Sequence, residues 1–238
     1  MKLLDLTFPS PEENLACDDA LLEAAEEGLC GEFLRFWLPR DYFVVLGYSN
    51  KISQEVNLPA CQKNRIPVLR RISGGGTVLQ GPGCLNYSLI LEIRGHTGLS
   101  GIRATNEFVM KKNCEVFRRL KGPEVSIRGV TDLALGNLKF SGNAQRRKSQ
   151  YVLFHGTFLL NFDIPRLEKF LANPPLQPDY RENRKHSEFV VNLNLKPEEI
   201  KKNLIAEWDA SENIEFKTDK IKKLIENHYS KKEWNFKF

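Results

Sequence analysis

Short apolar segments broken by Gly, Pro or Asn constrain the fold of this 238-residue chain more than any other feature. Segments of this kind are typical of β-strands. After a short opening strand they lie at 33–37, 42–48, 67–73 and 86–93, and again at 125–128, 132–135, 138–145 and 151–162. Gly136-Asn137 predicts a two-residue hairpin turn, so Lys139 should stand on a strand just beyond it.

Helical patterns frame these strands. Ser10, Pro11 and Glu13 predict the start of a helix that continues to Gly28. Apolar residues at helical spacing predict further helices over 102–120, 196–208 and 218–229. The resulting order is neither a regular βαβ alternation nor all-β. It predicts an α+β fold in which helices flank mixed or antiparallel sheets.

Composition excludes several classes of function. The 35 basic and 30 acidic residues leave a net charge of +5, too small and scattered to indicate nucleic-acid binding. No apolar run approaches the roughly 20 residues that span a bilayer, and the N-terminus does not resemble a secretion signal. Five cysteines without a C-x-x-C pair predict free thiols in a reducing cytoplasm, with no zinc site.

A glycine-rich segment is the first candidate for chemistry. Arg70 and Arg71 precede Ser73 and three consecutive glycines, Gly74 to Gly76. Glycine backbone N–H groups beside fixed positive charge suit a carboxylate or phosphate. A flexible surface turn with two solvated arginines is the alternative. Neither a Walker A sequence nor G-x-G-x-x-G occurs, which disfavours the ordinary P-loop and Rossmann mechanisms.

Two strand segments carry further polar residues. Alternation along 138–145 places Lys139, Ser141 and Asn143 on one face, with Gly142 allowing a close approach. His155 precedes Gly156 in an otherwise apolar strand. Each residue also has an ordinary interpretation: a solvated lysine, a buried histidine with one hydrogen bond and, at Asp132, a strand-end or turn residue.

Together the three segments resemble the lipoate-protein ligase A family and its octanoyltransferase relatives, which share a catalytic fold with biotin protein ligases. The motifs are Arg-Arg-x-Ser-Gly-Gly-Gly-x-Val, Lys-x-Ser-Gly-x-Ala-Gln-Arg and His-Gly-Thr-x-Leu, in that order. The resemblance runs from about residue 14 to 195. It implies a biotin/lipoate ligase-like catalytic domain over 1–195, followed by a short helical extension over 196–238 packed on it.

The resemblance implies an enzyme that joins lipoate to ATP and passes the acyl group to a lysine of a lipoyl domain. Lys139 matches the catalytic cation that offsets repulsion between carboxylate and α-phosphate. The residues implied for ATP are Arg71, Gly76, Thr77, Val78, Leu79, Asp132 and Lys139. Those implied for lipoate are Arg70, Gly74, Gly75, Lys139 and His155. Mg²⁺ is expected with ATP, although no ligand cluster is identifiable.

Other activities stay open. Gly81-Pro82-Gly83 is closer to the octanoyltransferase branch, whose enzymes hold the acyl group on a cysteine. No cysteine follows Cys114, so Cys84 is the remaining candidate nucleophile, with a buried structural thiol as its ordinary interpretation. A non-catalytic acyl-binding module is a third possibility, which the retained Lys139 disfavours. A biotin ligase is disfavoured because Gly-Arg-Gly-Arg is missing. Octanoate is an alternative substrate.

The resemblance also implies partners. Basic patches at 146–148 and 181–185 are candidate contacts for an acidic lipoyl domain, or else ordinary surface. Many ligases of the family append an accessory domain that is longer than 196–238. The chain is therefore expected to be either a self-sufficient compact form or one that uses a separately encoded accessory subunit.

Overall fold

The computed structural model describes residues 1–213 and 218–238, and it contains two β-sheets with helices on both sides. The eleven strands of this part of the chain are β1 Lys2–Asp5, β2 Phe33–Trp37, β3 Phe43–Leu46, β4 Val68–Arg70, β5 Val78–Gln80, β6 Cys84–Glu92, β7 Val125–Arg128, β8 Asp132–Leu135, β9 Leu138–Arg147, β10 Tyr151–Leu159 and β11 Glu212–Asn213. Its α-helices are α1 Pro11–Glu26, α2 Ile52–Glu55, α3 Leu58–Lys63, α4 Ile102–Lys121, α5 Pro165–Phe170, α6 His186–Phe189, α7 Pro197–Glu207, α8 Asp219–Leu224 and α9 Lys232–Asn235.

The larger sheet has eight strands in the order β11-β1-β2-β6-β10-β9-β8-β7. Strand β1 runs parallel to both of its neighbours, and the remaining pairs are antiparallel. In the smaller sheet β3 lies between β4, which is parallel to it, and β5, which is antiparallel. The prediction of mixed or antiparallel sheets flanked by helices is confirmed.

Both faces of the larger sheet are buried, and successive residues alternate between them. Leu34 and Phe36 of β2 pack with α4, while Phe33 and Trp37 pack with α1 and the smaller sheet. This alternation is what the two-residue period of a strand requires when both faces are covered. Helix α1 begins with the predicted capping box, in which the Ser10 hydroxyl accepts from the Glu13 N–H at 3.2 Å.

The local boundaries agree closely with the patterns in the sequence. Gly136 and Asn137 form the turn between β8 and β9, and Gly136 has φ +61°. Three predicted strands are shortened: 42–48 is a strand at Phe43–Leu46 and 151–162 at Tyr151–Leu159. The segment 67–73 is a strand only at Val68–Arg70, because the chain turns into the glycine loop after Arg70. None of the described helices is both long and apolar enough to cross a membrane.

Residues after 195 share hydrophobic clusters with the preceding ones. Ile200, Leu204 and Trp208 pack in the cluster that contains α4, and Ile221 and Tyr229 pack against α1. The prediction of helices at 196–208 and 218–229 is confirmed by α7 and by α8 with the π-helical turn Ile225–Tyr229 that follows it. The domain boundary at 195 stays a prediction.

Candidate active site

A cleft of about 860 Å³ lies where the smaller sheet meets β6, β9 and β10 of the larger one. The glycine loop, the hairpin of β8 and β9 and the segment 172–190 form its walls. That segment is tied to β9, because the Val191 N–H donates to the Lys139 carbonyl at 2.9 Å. The three sequence motifs therefore meet in one cavity.

Arg71 holds the glycine loop in shape from beneath. Its Nη2 donates to the carbonyls of Gly74 and Gly76 at 2.6 and 2.8 Å, and its Nε donates to the Ser73 hydroxyl at 3.0 Å. Burial lowers the pKa of Arg71 to about 10, so the guanidinium stays charged at neutral pH. Because the carbonyls turn toward Arg71, the loop can present N–H groups to an anion.

Two further contacts fix the loop. Gly75 has φ +84°, and a Cβ there would lie 3.0 Å from the Arg71 Nη2 and 3.3 Å from Ala144, so glycine is required on both grounds. Glu55 accepts from the Thr77 N–H at 3.2 Å and from the Asn50 amide at 2.7 Å. The short helix α2 thus anchors the loop through Glu55.

Lys139 is held by Asp132 on the opposite wall. The ammonium lies 2.8 Å from Asp132 Oδ1, and the Tyr180 hydroxyl donates to Asp132 Oδ2 at 2.8 Å. A register irregularity between Leu133 and Ala134 leaves Asp132 opposite Gly142, so the lysine side chain runs along β9 to reach it. The result is a partly exposed cation with a fixed position in the cleft.

His155 belongs to a polar cluster beneath the cleft. Its Nε2 lies 2.6 Å from the Ser73 hydroxyl oxygen, and its Nδ1 lies 3.6 Å from Asp18 Oδ2. Asp18 also pairs with the buried Arg35 and accepts from the Ser88 hydroxyl at 2.7 Å. Burial raises the pKa of Asp18, but Arg35 and the hydrogen bonds outweigh it, and the net shift is downward. A carboxylate of this kind orients the imidazole toward Ser73.

Apolar side chains line the part of the cleft adjoining this cluster: Leu15, Trp37, Val45 and Val78. Across the cleft, Asn143 accepts from the Tyr87 hydroxyl at 2.7 Å. Gly156 stands opposite Asn143 in the sheet, and a Cβ at Gly156 would overlap the Asn143 amide oxygen. The glycine after His155 therefore makes room for the asparagine.

Most of the predicted site residues line this cleft: Arg71, Gly75, Gly76, Thr77, Val78, Leu79, Asp132, Lys139 and His155. Arg70 and Gly74 are not among the residues that line it. The Arg70 guanidinium donates instead to the carbonyls of Gly47, Tyr48 and Asn50 at 2.8 to 3.2 Å, so it braces a neighbouring loop. Gly74 contributes the carbonyl that Arg71 binds.

Five cleft residues lie outside the three sequence motifs. They belong to helices, to an apolar strand and to an irregular connector: Asp18, Glu55, Tyr87, Tyr180 and Arg181. A single carboxylate inside a helix or one tyrosine in an apolar strand carries no spacing signal.

The prediction of a surface patch at 181–185 is wrong for Arg181, whereas Lys185 is exposed. Arg181 is only 5% exposed and stacks on Phe189, with 4.9 Å between its guanidinium carbon and the ring centroid. Burial, followed by the charge of Arg181, lowers the pKa of His186 to about 4, so that imidazole is neutral at pH 7.

None of the five cysteines, all of which lie in the described ranges, lines the cleft. Burial raises the pKa of Cys84 to about 12 and also raises the pKa of Cys114. Both thiols are therefore protonated at neutral pH and poor nucleophiles.

The relatives with similar sequences include lipoate-protein ligases and octanoyltransferases. A lipoate-protein ligase A homologue from Aeropyrum pernix is 33% identical over 170 residues, which are 71% of this chain and 61% of that protein's own length. Octanoyltransferase LipM of Halalkalibacterium halodurans is 26% identical, covering 99% of this chain and 98% of the relative. Lipoate-protein ligase A subunit 1 of Thermoplasma acidophilum is 26% identical, covering 98% of this chain and 95% of the relative.

The fold has a close counterpart among solved structures. A crystal structure of lipoate-protein ligase A bound with ATP superposes with a TM-score of 0.84 and 25% identity, covering 99% of this chain and 98% of the other. The family model described as the lipoyl protein ligase A/B catalytic domain matches residues 10–208. The chain belongs to this family.

Proposed function

We propose that this protein is an ATP-dependent lipoate-protein ligase. One observation carries the proposal: a single cleft brings together the glycine loop, an apolar wall and a cation, Lys139, that Asp132 holds at 2.8 Å. An apolar wall suits a lipoyl chain, and a loop of backbone N–H groups suits phosphates. The ATP-bound structure of similar fold and the names of the relatives support the same assignment.

The first step is adenylation. A carboxylate oxygen of lipoate attacks the α-phosphorus of ATP, a new O–P bond forms, and the bond to the leaving pyrophosphate breaks. Both reactants are anionic, so the Lys139 ammonium reduces their repulsion and stabilises charge that develops on the α-phosphate oxygens. Asp132, which also accepts from the Tyr180 hydroxyl, holds this cation in place.

The second step is acyl transfer. The ε-amine of an acceptor lysine attacks the carbonyl carbon of lipoyl-adenylate, AMP leaves, and the amine loses a proton. Within the cleft, Gly76 to Leu79 and Asp132 are assigned to the nucleotide, and Gly75 and His155 to the acyl group. Arg71 acts on the nucleotide through the loop it shapes, because its donors are occupied by backbone carbonyls and the Ser73 hydroxyl.

Magnesium fits this site as a companion of ATP. Among the residues that the structure describes, no group of three or more His, Cys, Asp or Glu side chains lies together. Magnesium commonly binds through phosphates, water and only one or two carboxylates, and the cleft is lined by the acids Asp18, Glu55, Asp132 and Asp179. The ion would screen phosphate charge during adenylation.

An octanoyltransferase is the second candidate function. The similarity to LipM over nearly the whole chain favours it. The absence of a cleft cysteine among the described residues disfavours a thioester intermediate. The ligase proposal is tested by incubating the protein with ATP, Mg²⁺ and lipoate and measuring lipoyl-adenylate by mass spectrometry. ATP-independent octanoyl transfer from an acyl carrier protein, without any adenylate, would identify a transferase instead.

A lipoyl domain is the proposed acceptor partner. The Thermoplasma relative is named as a subunit, which supports a separately encoded accessory subunit as a further partner. We place the protein in the cytoplasm because all five cysteines are unpaired thiols, which a reducing compartment preserves.

A further inference from the structure

A row of four hydrogen bonds, two of them buried and two partly buried, joins the C-terminal part of the chain to the cleft. The Trp208 indole N–H donates to Asn113 Oδ1 at 2.9 Å, and the Asn113 amide donates to the Tyr87 hydroxyl at 2.8 Å. That hydroxyl donates to Asn143 Oδ1 at 2.7 Å. Finally, the Asn143 amide donates to the Thr131 carbonyl at 2.7 Å. We name these five residues the Trp208–Thr131 relay.

The relay has one permitted direction. An indole N–H can only donate, and a backbone carbonyl can only accept. The Trp208 end therefore requires the Asn113 oxygen to face it, which turns the Asn113 amide nitrogen toward Tyr87. The Tyr87 proton must then point to Asn143, whose nitrogen is left for Thr131. Both ends specify the same orientation of every group between them.

The cleft end of the relay lies next to the partner of the catalytic cation. The Thr131 hydroxyl donates back to the Asn143 carbonyl at 2.8 Å, so Thr131 is held through two contacts. Asp132 follows it directly and pairs with Lys139. By contrast, the neighbouring Gly129 and Val130 are exposed, so the relay anchors this segment together with the strand pairing of Asp132.

We propose that Asn113, Tyr87 and Trp208 are positioning residues that set the place of Asp132, and through it Lys139, during adenylation. This inference rests on the proposed ligase function. Asn113 is fully buried on α4 and Trp208 follows α7, so neither lines the cleft. Their effect on the reaction passes through Tyr87 and Asn143, and it gives the C-terminal part of the chain a role in the reaction.

Asn113→Asp is the most informative variant because it changes the direction of the hydrogen bonds in the relay while keeping the size and shape of the side chain. When the introduced carboxyl group is ionised, it accepts from both Trp208 and Tyr87, so the Tyr87 proton turns away from Asn143. Asn143 must then rotate, and its oxygen faces the Thr131 carbonyl. When the introduced carboxyl group is protonated, it can again donate to Tyr87 and restore the native direction.

The expected result is a pH-dependent loss. At pH 8, Asn113→Asp should slow lipoate-dependent pyrophosphate exchange about tenfold, the scale of one lost buried hydrogen bond, with KM for lipoate nearly unchanged. The ratio of variant to wild-type rate should rise as pH falls from 8 toward 5.5. Tyr87→Phe keeps the ring stacked on Phe158, and it should slow pyrophosphate exchange by a similar factor at every pH. It also provides a second variant should Asn113→Asp fail to fold.

Asn106→Asp is the matched control. Asn106 lies on the same helix, and its Oδ1 accepts from Gln145, a bond that aspartate can keep. It should exchange pyrophosphate like wild type. Variants of Asn113 and Tyr87 that also match wild type would overturn the proposal, as would a loss in Asn113→Asp that follows its thermal stability and does not change with pH.

Hydrogen–deuterium exchange separates this inference from the ligase assignment. The backbone amides of 129–132 should exchange faster in Asn113→Asp than in wild type at pH 8, whatever reaction the enzyme performs. Equal exchange would refute the relay. A wild-type protein without pyrophosphate exchange, but with faster amide exchange in the variant, would refute the ligase and leave the relay standing.

Discussion

The Lys139 ammonium lies over Gly142, where a Cβ atom would come within 2.9 Å of Nζ and 3.0 Å of Cε. The glycine of the Lys-x-Ser-Gly motif therefore leaves the space that the lysine crosses to reach Asp132. The Asp132–Lys139 ion pair and this empty space define one position for the cation.

Gly142→Ala should lower activity more than stability. The added methyl meets only the end of the lysine side chain, which can rotate away, but the ammonium then leaves Asp132. We expect adenylation to slow about 10- to 100-fold, since displacements near 1 Å have effects of this size. Pyrophosphate exchange and thermal unfolding measure the two effects. Gly31→Ala, which adds a methyl into open space, is the control. A normal exchange rate in Gly142→Ala would contradict the role of this space.

Gly156→Ala should destabilise the fold. Its methyl would overlap the Asn143 amide and lie 2.9 Å from Tyr87 Cε1, inside a buried contact. We expect a loss of about 1–3 kcal/mol in the free energy of unfolding, the usual cost of overpacking.

Asn143→Ala in the same chain provides the internal check on this prediction. It removes the overlap, so in denaturant titrations the double variant should be close in stability to Asn143→Ala alone. Its adenylation rate should stay low because the contacts to Tyr87 and Thr131 are gone. A single Gly156→Ala variant as stable as wild type would show that the close packing is not needed.

Most of the strands, the long helices and the Gly136-Asn137 hairpin were predictable because each follows from local spacing or from one turn. The site was only partly predictable. Arg70 and Arg71 are adjacent at the end of a strand, so their side chains leave on opposite sides. Only Arg71 faces the glycine loop, and that choice depends on how β4 pairs with β3.

Asp18 and Tyr180 show a second reason why the site could not be predicted fully from the sequence. They reach the cleft from α1 and from the connector after α5, far along the chain from the residues they contact. Such contacts are set by tertiary packing and have no counterpart in sequence spacing.

Replacement of Cys84 tests the thioester route. Cys84→Ala should keep its rate of adenylation within about twofold of wild type, because the thiol is buried away from the cleft and its pKa is about 12. Mass spectrometry of the protein after incubation with octanoyl carrier protein should find no hydroxylamine-sensitive octanoyl group. An adduct on Cys84 would support the transferase.

Asp19 should make stability depend on pH. Burial raises its pKa from 3.8 to about 6, so between these values the folded protein keeps a proton that the unfolded chain releases. This stabilisation is complete below pH 4 and is lost as pH rises through 6. Asp19→Asn cannot ionise, so its stability relative to wild type should increase by up to about 3 kcal/mol between pH 4 and 7. Urea titrations at several pH values measure the difference. A difference that is constant with pH would contradict the buried carboxyl.

The most direct measurement is lipoate-dependent exchange of labelled pyrophosphate into ATP by the wild-type chain and by Lys139→Ala. The Lys139 cation contributes most to adenylation, so the wild type should exchange pyrophosphate into ATP. The exchange rate of the variant should be lower by about 100-fold or more, the scale of one preorganised charge contact. A wild type that shows no exchange but transfers octanoyl groups without ATP, or a Lys139→Ala variant that exchanges at the wild-type rate, would contradict the ligase mechanism.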